Sequence, residues 1–352
     1  MKKFFLLLTL LLFIPALFLF AGEEEEAGAG AEMKKGEDFH FIMVNNMVTL
    51  PYFMGHYKGA ELACKEISAA TGDKVTFEVV GPAEMDLMKQ VEAFEAAFAK
   101  KPDGFMVVAW DAEVVQATIN KAMAQGIPTI CIDGDSPISN RISYIGTDWT
   151  YLGREIGEAL APLINYRGKV AMLGLVGAEN MEEAFASFRE VMAQYPDVEI
   201  VALEHDNGEE IEAARITRAL IQKYPDLAGI AGFDAGSGPG MATALRETGK
   251  AGKIMAVANN ITTAHLQAIK NGELQYIIGE RERFFGYYGV LWLYLHLKSN
   301  FKVTDIDEKM GIAKLPPRVI TGVIFVNKES VDAFWDVYEG YQKAKFTYGK
   351  PQ

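Results

Sequence analysis

Residues 102–135 read PDGFMVVAWDAEVVQATINKAMAQGIPTICIDGD, and their rhythm decides the fold class. The turn Pro102-Asp103-Gly104 releases an apolar run over 104–109 that lacks polar alternation, the pattern of a strand covered on both faces. Residues 112–124 follow as a helical stretch with Asp111 at its capping position. Gly126-Ile127-Pro128 stops that helix, because the residue before a proline is pushed out of the helical region. A second apolar run over 128–132 then ends at Asp133. Strand, helix, strand in this order is the βαβ unit of a parallel sheet with a right-handed crossover.

The same unit recurs in both directions. Strands are expected at 40–45, 75–80 and 142–146, then at 169–175, 198–203, 228–233, 254–258 and 275–279, with a last run at 319–326. Residues 85–99 place Leu87, Met88, Val91, Phe94 and Phe98 at helical spacing, and 211–223 does so with Ile211, Ala214, Ile216, Leu220 and Ile221. Tyr195-Pro196-Asp197 and Tyr224-Pro225-Asp226 end helices as Lys101-Pro102-Asp103-Gly104 does. So many strands exceed one sheet of five or six, and the rhythm restarts at 169 after a helix at 150–164. The expectation is an α/β protein of two Rossmann-like lobes with mostly parallel sheets. Ligands of such sheets bind beyond the carboxyl ends of the strands, so two facing lobes make a cleft lined by the residues that follow each strand.

Composition narrows the function classes. Of 352 residues half are apolar, 23% charged and 11% aromatic, which is globular. Lys and Arg number 34 against 47 Asp and Glu, a net charge of −13, so the chain repels phosphate backbones and no nucleic-acid partner is expected. The start is an address: Lys2-Lys3, then an apolar run from Phe4 to Phe20 broken by Thr9 and Pro15, then small residues with cleavage sites at Ala29-Gly30-Ala31 or near Ala21-Gly22. The run is longer than a usual h-region and shorter than a ~20-residue span, so cleavage and retention as an anchor both stay open. A signal peptide over 1–31 is the preferred reading, which makes the protein exported, to a periplasm or cell surface. Cleavage there removes two lysines and four glutamates and leaves −11, so acidity belongs to the mature domain. The apolar stretch Phe284–Leu297 carries Gly286, Gly289 and His296 and suits a buried helix rather than a span. Cys64 and Cys131 lie in apolar segments, either as free thiols or as one bridge.

Nucleotide, zinc-protease and serine-hydrolase signatures are absent, and the five histidines are scattered without ligand spacing. Gly236-Ser237-Gly238-Pro239-Gly240 follows a strand and opens a helix, but Met241 stands where a dinucleotide loop needs its third glycine and Pro239 lacks an N–H. A tight turn near a small ligand is the better reading. Asp133-Gly134-Asp135 lacks the spaced oxygens of a calcium loop. No cofactor, metal or catalytic residue is expected.

The strand ends instead carry aromatics, carboxylates and amides: Tyr52 and Phe53, Trp110 and Asp111, Asp133 and Asp135, Asn180, Asp206-Asn207, Asp234 and Ser237, Asn259-Asn260 and Glu280. Ring faces pack on the apolar C–H faces of a pyranose, and Asp and Asn accept protons from its hydroxyls. Several of these residues have a competing structural role. One of Tyr52 and Phe53 is expected in the core, Asp111 and Asp148 fit helix caps, Asp234 fits a cap across the glycine turn, and Asn207 fits a plain turn. Asn260 reads equally as an N-cap or a ligand group. Asp133 has no such alternative.

In the order of these motifs along 38–327 the chain resembles the exported sugar-binding proteins of ABC transporters, of the ribose/galactose type with the type I periplasmic binding fold. The resemblance rests on Pro51-Tyr52-Phe53, Gly126-Ile127-Pro128 leading to Asp133, Tyr144-Ile145-Gly146-Thr147-Asp148, Tyr224-Pro225-Asp226, the turn at 234–240 and Ile269-Lys270-Asn271-Gly272. It implies a three-segment hinge near Thr147-Asp148, Glu280-Arg281 and Thr321-Gly322. One lobe would then comprise 38–147 plus 281–321, and the other 148–280 plus 322–352. It maps the aromatic platform to Tyr52 and Phe53, a polar position near Trp110-Asp111, the sugar-binding aspartate to Asp133, and further site positions to Asn180, Asp206 or Asn207, Asp234 or Ser237, and Asn260. The hinge glutamine is here Glu280. Leu50 replaces an asparagine, and Gly134 and Ala184 replace two arginines, so an anionic sugar finds no cation here. A neutral hexose, deoxyhexose or polyol, or an amine-bearing solute, fits better. The partners implied are such a solute and a membrane permease, with the protein itself a monomer; the alternative is a secreted sensor module serving a chemoreceptor or sensor kinase. Glycoside hydrolysis by Asp133 and Asp135 is disfavoured, since two acids at i and i+2 of one loop do not face each other across a bond.

Overall fold

The computed structural model of the chain describes residues 36–177, 179–299, 302, 304, 309, 310 and 313–343. The expected signal peptide at 1–31 lies outside them. The first half alternates β1 (Asp38–Val44), α1 (Met54–Thr71), β2 (Lys74–Val80), α2 (Leu87–Ala97), β3 (Gly104–Val107), α3 (Ala112–Ala124), β4 (Thr129–Ile132) and β5 (Ser143–Gly146). The second runs α4 (Trp149–Leu163), β6 (Gly168–Gly174), α5 (Glu179–Met192), β7 (Val198–His205), α6 (Glu210–Lys223), β8 (Leu227–Gly232), α7 (Ser237–Glu247), β9 (Met255–Asn259), α8 (Thr263–Asn271) and β10 (Tyr276–Glu280). After these come α9 (Glu282–Lys298), β11 (Arg318–Ile320), β12 (Val323–Asn327) and α10 (Val331–Lys343).

The strands form two six-stranded sheets, β2-β1-β3-β4-β5-β11 and β7-β6-β8-β9-β10-β12. Every pairing is parallel except β10 with β12. Parallel strands need crossover helices, and those helices cover both faces, which is why the strands read as unbroken apolar runs. In the first lobe α1 and α9 pack one face around Phe41, Met43, Ile132 and Leu293, while α2 and α3 pack the other around Phe94, Phe105 and Ile119. In the second, α4 and α5 cover one face around Phe185, Phe188 and Met172, and α6, α7 and α8 the other around Ile230, Met241 and Leu266.

Sequence and structure differ at 319–326. The apolar run read as one strand is two, β11 beside β5 in the first sheet and β12 beside β10 in the second. Thr321-Gly322 divides them, with Gly322 at φ 75°, a left-handed turn that apolarity alone does not signal. The chain thus passes between the two sheets after β5, after β10 and after β11. Asp111 caps α3 by accepting the N–H groups of Glu113 and Val114, and Asp148 caps α4 by accepting that of Tyr151. Cys64 and Cys131 are free and buried, and burial pushes both thiols up to about 12. Among the described residues no helix is long and apolar enough to cross a membrane.

Candidate functional site

Asp133 follows β4 with φ 65°, a left-handed conformation that aspartate tolerates better than most residues. Its N–H is held by Ile145 O at 3.0 Å and its carbonyl accepts the Tyr144 hydroxyl at 2.9 Å. The residue is 7% exposed. Trp110 donates its indole N–H to Oδ2 at 2.6 Å, and the Tyr52 hydroxyl lies 2.8 Å from Oδ1. That hydroxyl also lies 2.6 Å from Oε2 of Glu280, at the end of β10 in the other sheet.

A phenol has one proton and cannot donate to two ionised carboxylates. One acid must hold a proton and give it to the phenol oxygen. Burial pushes both acids up, Asp133 to about 6 and Glu280 to about 8, and the charge of Asp133 adds to the effect on Glu280. At neutral pH the proton therefore sits on Glu280, which donates to Tyr52, which donates to Asp133. Asp133 keeps its charge under two neutral donors. Burial, then these two acids, raise the Tyr52 phenol well above its usual value, so it stays a donor.

The aromatic floor is built from α1 and its approach. Phe53 has no exposed surface and lies 5.5 Å from the Trp110 ring, which is 45% exposed, and edge-on to Tyr52 and His56. Phe53, expected at the solute, is a core residue that backs the Trp110 ring. His56 is buried among these rings and burial lowers it to about 3, so it stays neutral.

In the second lobe Asp234 and Asp206 share a buried corner. Asp234 follows β8, and its Oδ1 accepts the N–H groups of Gly236 and Ser237 at 2.9 Å each, the start of α7. Asp206 Oδ2 accepts the Ser237 hydroxyl at 2.6 Å. Burial, then the neighbouring Asp206, push Asp234 up to about 7, since two anions cannot share such a corner unprotonated at little cost. Asn259, at the end of β9, donates to Phe233 O at 3.1 Å, and Asn260 after it has φ 80°. Thr262, not Asn260, caps α8.

Other expected site residues stand apart from these two acid centres. Asp135 is held by the Nε and Nη2 of Arg141, six residues on, and that pairing across a turn gives it a structural role. Asp111 is spent on its cap. Asn207 is an exposed left-handed turn residue, whereas its neighbour Asp206 is the buried one. Asn180 lies half-buried in the first turn of α5. Neither missing arginine has room to return. A Cβ on Gly134 would lie 2.4 Å from Ala109 O, and Ala184 is fully buried against α4.

Sequence reading missed several groups. Asn46, fully buried just past β1, has no partner for either amide atom. Asn45 Oδ1, Gln90 Oε1, Thr147 Oγ1, Asp234 Oδ2, Asn259 Oδ1 and Glu280 Oε1 are likewise buried without a partner. Asn45 and Asn46 follow β1, Gln90 bonds the carbonyl just past β3, and the others stand at the ends of β5, β8, β9 and β10. The pair Asn45-Asn46 after a buried strand mirrors Asn259-Asn260, and that parallel was the available signal. Buried polar atoms are costly unless satisfied, so these open positions at the carboxyl ends of both sheets can meet a polar guest.

A family profile described as a periplasmic binding protein domain matches residues 41–300. The chain is 24% identical over 289 residues to the xylose/arabinose-binding protein XylF of Sulfolobus acidocaldarius, spanning 77% of this chain and 69% of that protein. Among solved structures it is similar to the sugar-binding protein of a sugar ABC transporter from Bacillus halodurans, at 28% identity and TM-score 0.77 over 85% of this chain and 100% of that one. It is also similar to AraP, an arabinose-binding protein from Geobacillus stearothermophilus, at 26% identity and TM-score 0.75 over 85% and 99%.

Proposed function

The chain belongs to the periplasmic binding protein domain family, a family of binding proteins and not of enzymes, and from that premise we propose that it captures a sugar or polyol between its lobes and delivers it to an ABC-transporter permease. It works outside the cytoplasm, as the family's name and the apolar leader over 4–20 indicate. The observation that carries this reading is the set of buried, unpartnered polar atoms at strand ends of both sheets, beside an indole and a phenol already hydrogen-bonded to Asp133. The relatives named above carry sugar-binding in their names, which agrees.

The cycle follows from the geometry. Each lobe offers half of the hydrogen-bond partners. A solute wets one half, and rotation at the three strand crossings brings the other half over it. Closure removes water, which strengthens every hydrogen bond to the guest. The closed form is what a permease reads. Isothermal titration of the purified protein against pentoses, hexoses, amino sugars and polyols tests this. Saturable binding of at least one, with a smaller radius of gyration by X-ray scattering, is expected. Failure of the whole panel to bind would overturn it.

A further inference from the structure

We propose that the Tyr52 hydroxyl is a positioning group for solute capture: it ties the strand-end acids of the two sheets, Asp133 and Glu280, to one shared proton, so that affinity for a neutral sugar falls as alkaline pH removes that proton. The inference rests on the sugar-capture reading and adds a pH control to it.

The contact is a meeting of the two sheets. Tyr52 lies just before α1, and Asp133 follows β4 of the first sheet. Glu280 ends β10 of the second sheet, where the chain crosses to α9, which packs on the first. The phenol oxygen stands 2.8 Å from Oδ1 of Asp133 and 2.6 Å from Oε2 of Glu280. A phenol has one proton for these two acceptors, so the three groups hold together only while one acid is protonated. Once that proton leaves, one carboxylate faces the lone pairs of the phenol and the charge of the other acid. Glu280 is only 5% exposed, so little water is at hand to relieve it.

Among the described residues no cation around the trio offsets a second charge. Trp110 donates to Oδ2 of Asp133, but Tyr144 gives its hydroxyl to the Asp133 carbonyl and not to the carboxylate. Thr147, at the crossing after β5, and Val323, paired with Glu280 on β12, are uncharged. Glu282, in the first turn of α9, adds a third acid, whose charge acts on both Glu280 and Tyr52 in the same sense as burial. His56 of α1 stays neutral against the Tyr52 ring. The guanidinium groups of this region are turned elsewhere. Arg281 bonds Val323 O, Arg141 holds Asp135 and Pro317 O, and Arg318 lies over the Tyr144 ring.

In the sugar-capture reading the solute lies on Trp110, whose ring is half exposed and whose N–H already bonds Asp133. A sugar on that ring covers the acid and strips the water that is left. A second anion is then costlier in the complex than in the free protein, so the complex holds the shared proton more tightly. By reciprocity the proton favours the complex. Affinity is therefore level at pH values where the free protein keeps the proton, and declines above them by at most about tenfold per pH unit for one proton.

Titration calorimetry of the purified protein with D-xylose, L-arabinose, D-glucose, D-galactose and sorbitol, at pH 7 and pH 9.5, tests this; none of these probes changes charge in that range. For the tightest binder, affinity should drop about fivefold or more from the lower pH to the higher. Glu280→Gln offers the phenol an N–H donor that does not titrate, so its profile should stay level within about twofold. Tyr52→Phe keeps the ring and loses the hydroxyl. It should cost about fivefold or more at pH 7 and about twofold or less at pH 9.5, where the parent has lost the bridge as well. A role of the ring alone gives no cost at either pH, and a purely structural role gives the same cost at both. Parent affinity that stays level or rises with pH would overturn the proposal while leaving sugar capture intact. So would a Tyr52→Phe cost that is absent, or equal at both pH values, in a variant that melts cooperatively. If Tyr52→Phe does not fold, the parent and Glu280→Gln profiles decide: both level, or both falling alike, overturns it. Silence of these probes and of the wider panel would instead remove the sugar reading, and this inference with it.

Discussion

The fourth strand ends the same way in both lobes, and the two endings differ in one side chain. Asp133 follows β4 at φ 65° and Asn260 follows β9 at φ 80°. Each gives its N–H to the isoleucine of the next strand, Ile145 at 3.0 Å and Ile278 at 3.2 Å. The carbonyl after the third strand is taken by a buried side-chain amide in both lobes, yet from Gln90 on α2 in one and Asn259 on β9 in the other. At the fifth strand Thr147 stands where Glu280 stands. The shared topology dictates the backbone at these ends, whereas chemistry diverges freely on it. The first lobe presents a charge fixed by rings. The second presents its acids on backbone N–H groups and a serine, with an amide at the fourth strand.

The sharpest way to break that comparison is to make the first lobe copy the second. Asp133→Asn keeps size and the left-handed backbone but removes the charge that Trp110 and Tyr52 hold. Solute binding should weaken by about thirtyfold or more, since losing a central buried anchor costs ~2 kcal/mol or more. Folding should survive, because the burial of that charge is itself unfavourable. Titration calorimetry with the best solute of the panel reads the first and a melting curve the second. Binding within threefold of the parent would show that the asymmetry between the lobes is decorative.

Trp110→Ala removes the ring and one donor but leaves the charge. A drop in affinity of about tenfold or more is expected, the size of a typical interface anchor. The Tm should move little, because Trp110 is 45% exposed and the floor, Phe53, remains. A large fall in Tm with unchanged affinity would make Trp110 a core residue instead.

The acid centres also differ from the buried histidines in how they answer pH. Glu280 is faced by Tyr52 and Asp133 from the first lobe, Glu282 from α9 and Thr147 from the β5 crossing, while Arg281 turns to Val323 O. Asp234 is faced by Asp206 and by the Gly236 and Ser237 N–H groups. Their values of about 8 and about 7 lie above the ordinary carboxyl range, so the folded chain keeps protons that the unfolded chain has lost. That contribution to stability is present at low pH and is lost as pH rises through these values. His56 and His265, lowered to about 3, act in the opposite sense, but only below the ordinary histidine value of about 6.5. From there to about pH 8.5 the ligand-free Tm should therefore fall, each group contributing up to about 1.4 kcal/mol per pH unit within its window. Glu280→Gln should flatten the upper part of that fall. A Tm that is level or rising across this window would contradict the assignment of the protons.

The fold was legible because burial on both faces writes a strand as a plain apolar run, and because Asp111 and Asp148 mark helix starts by their capping chemistry. The split of 319–326 was not, since both halves are apolar and only the sheet each joins tells them apart. The acid centres were half legible. Asp133 stood out because no cap or turn claimed it. Its link through Tyr52 to Glu280 joins residues 228 apart in the chain, and no local pattern records such a meeting. Asp135 and Phe53 show the limit of a local reading. An acid beside the key acid, and a ring beside the key ring, look alike until Arg141 claims one and the core claims the other.

The smallest change approaches the comparison from the other side. Asn260→Asp gives the second lobe the residue that the first lobe has at this place. The left-handed backbone accepts either, so the Tm should stay within about 2 °C, as for a surface substitution. Among the described residues no indole or phenol of the second lobe is bonded at Asn260, which is only half-buried, so the new carboxylate keeps its water. Affinity should change by less than about threefold, the ±0.5 kcal/mol of a substitution that makes no new contact. Asn260→Ala is the control for backbone strain, since a residue without a polar side chain is costly at φ 80°; it should lower the Tm more than the aspartate does. An Asn260→Asp variant that altered affinity as strongly as Asp133→Asn would mean that charge alone sets the strength of a strand-end acid, and that the rings around Asp133 add nothing to it.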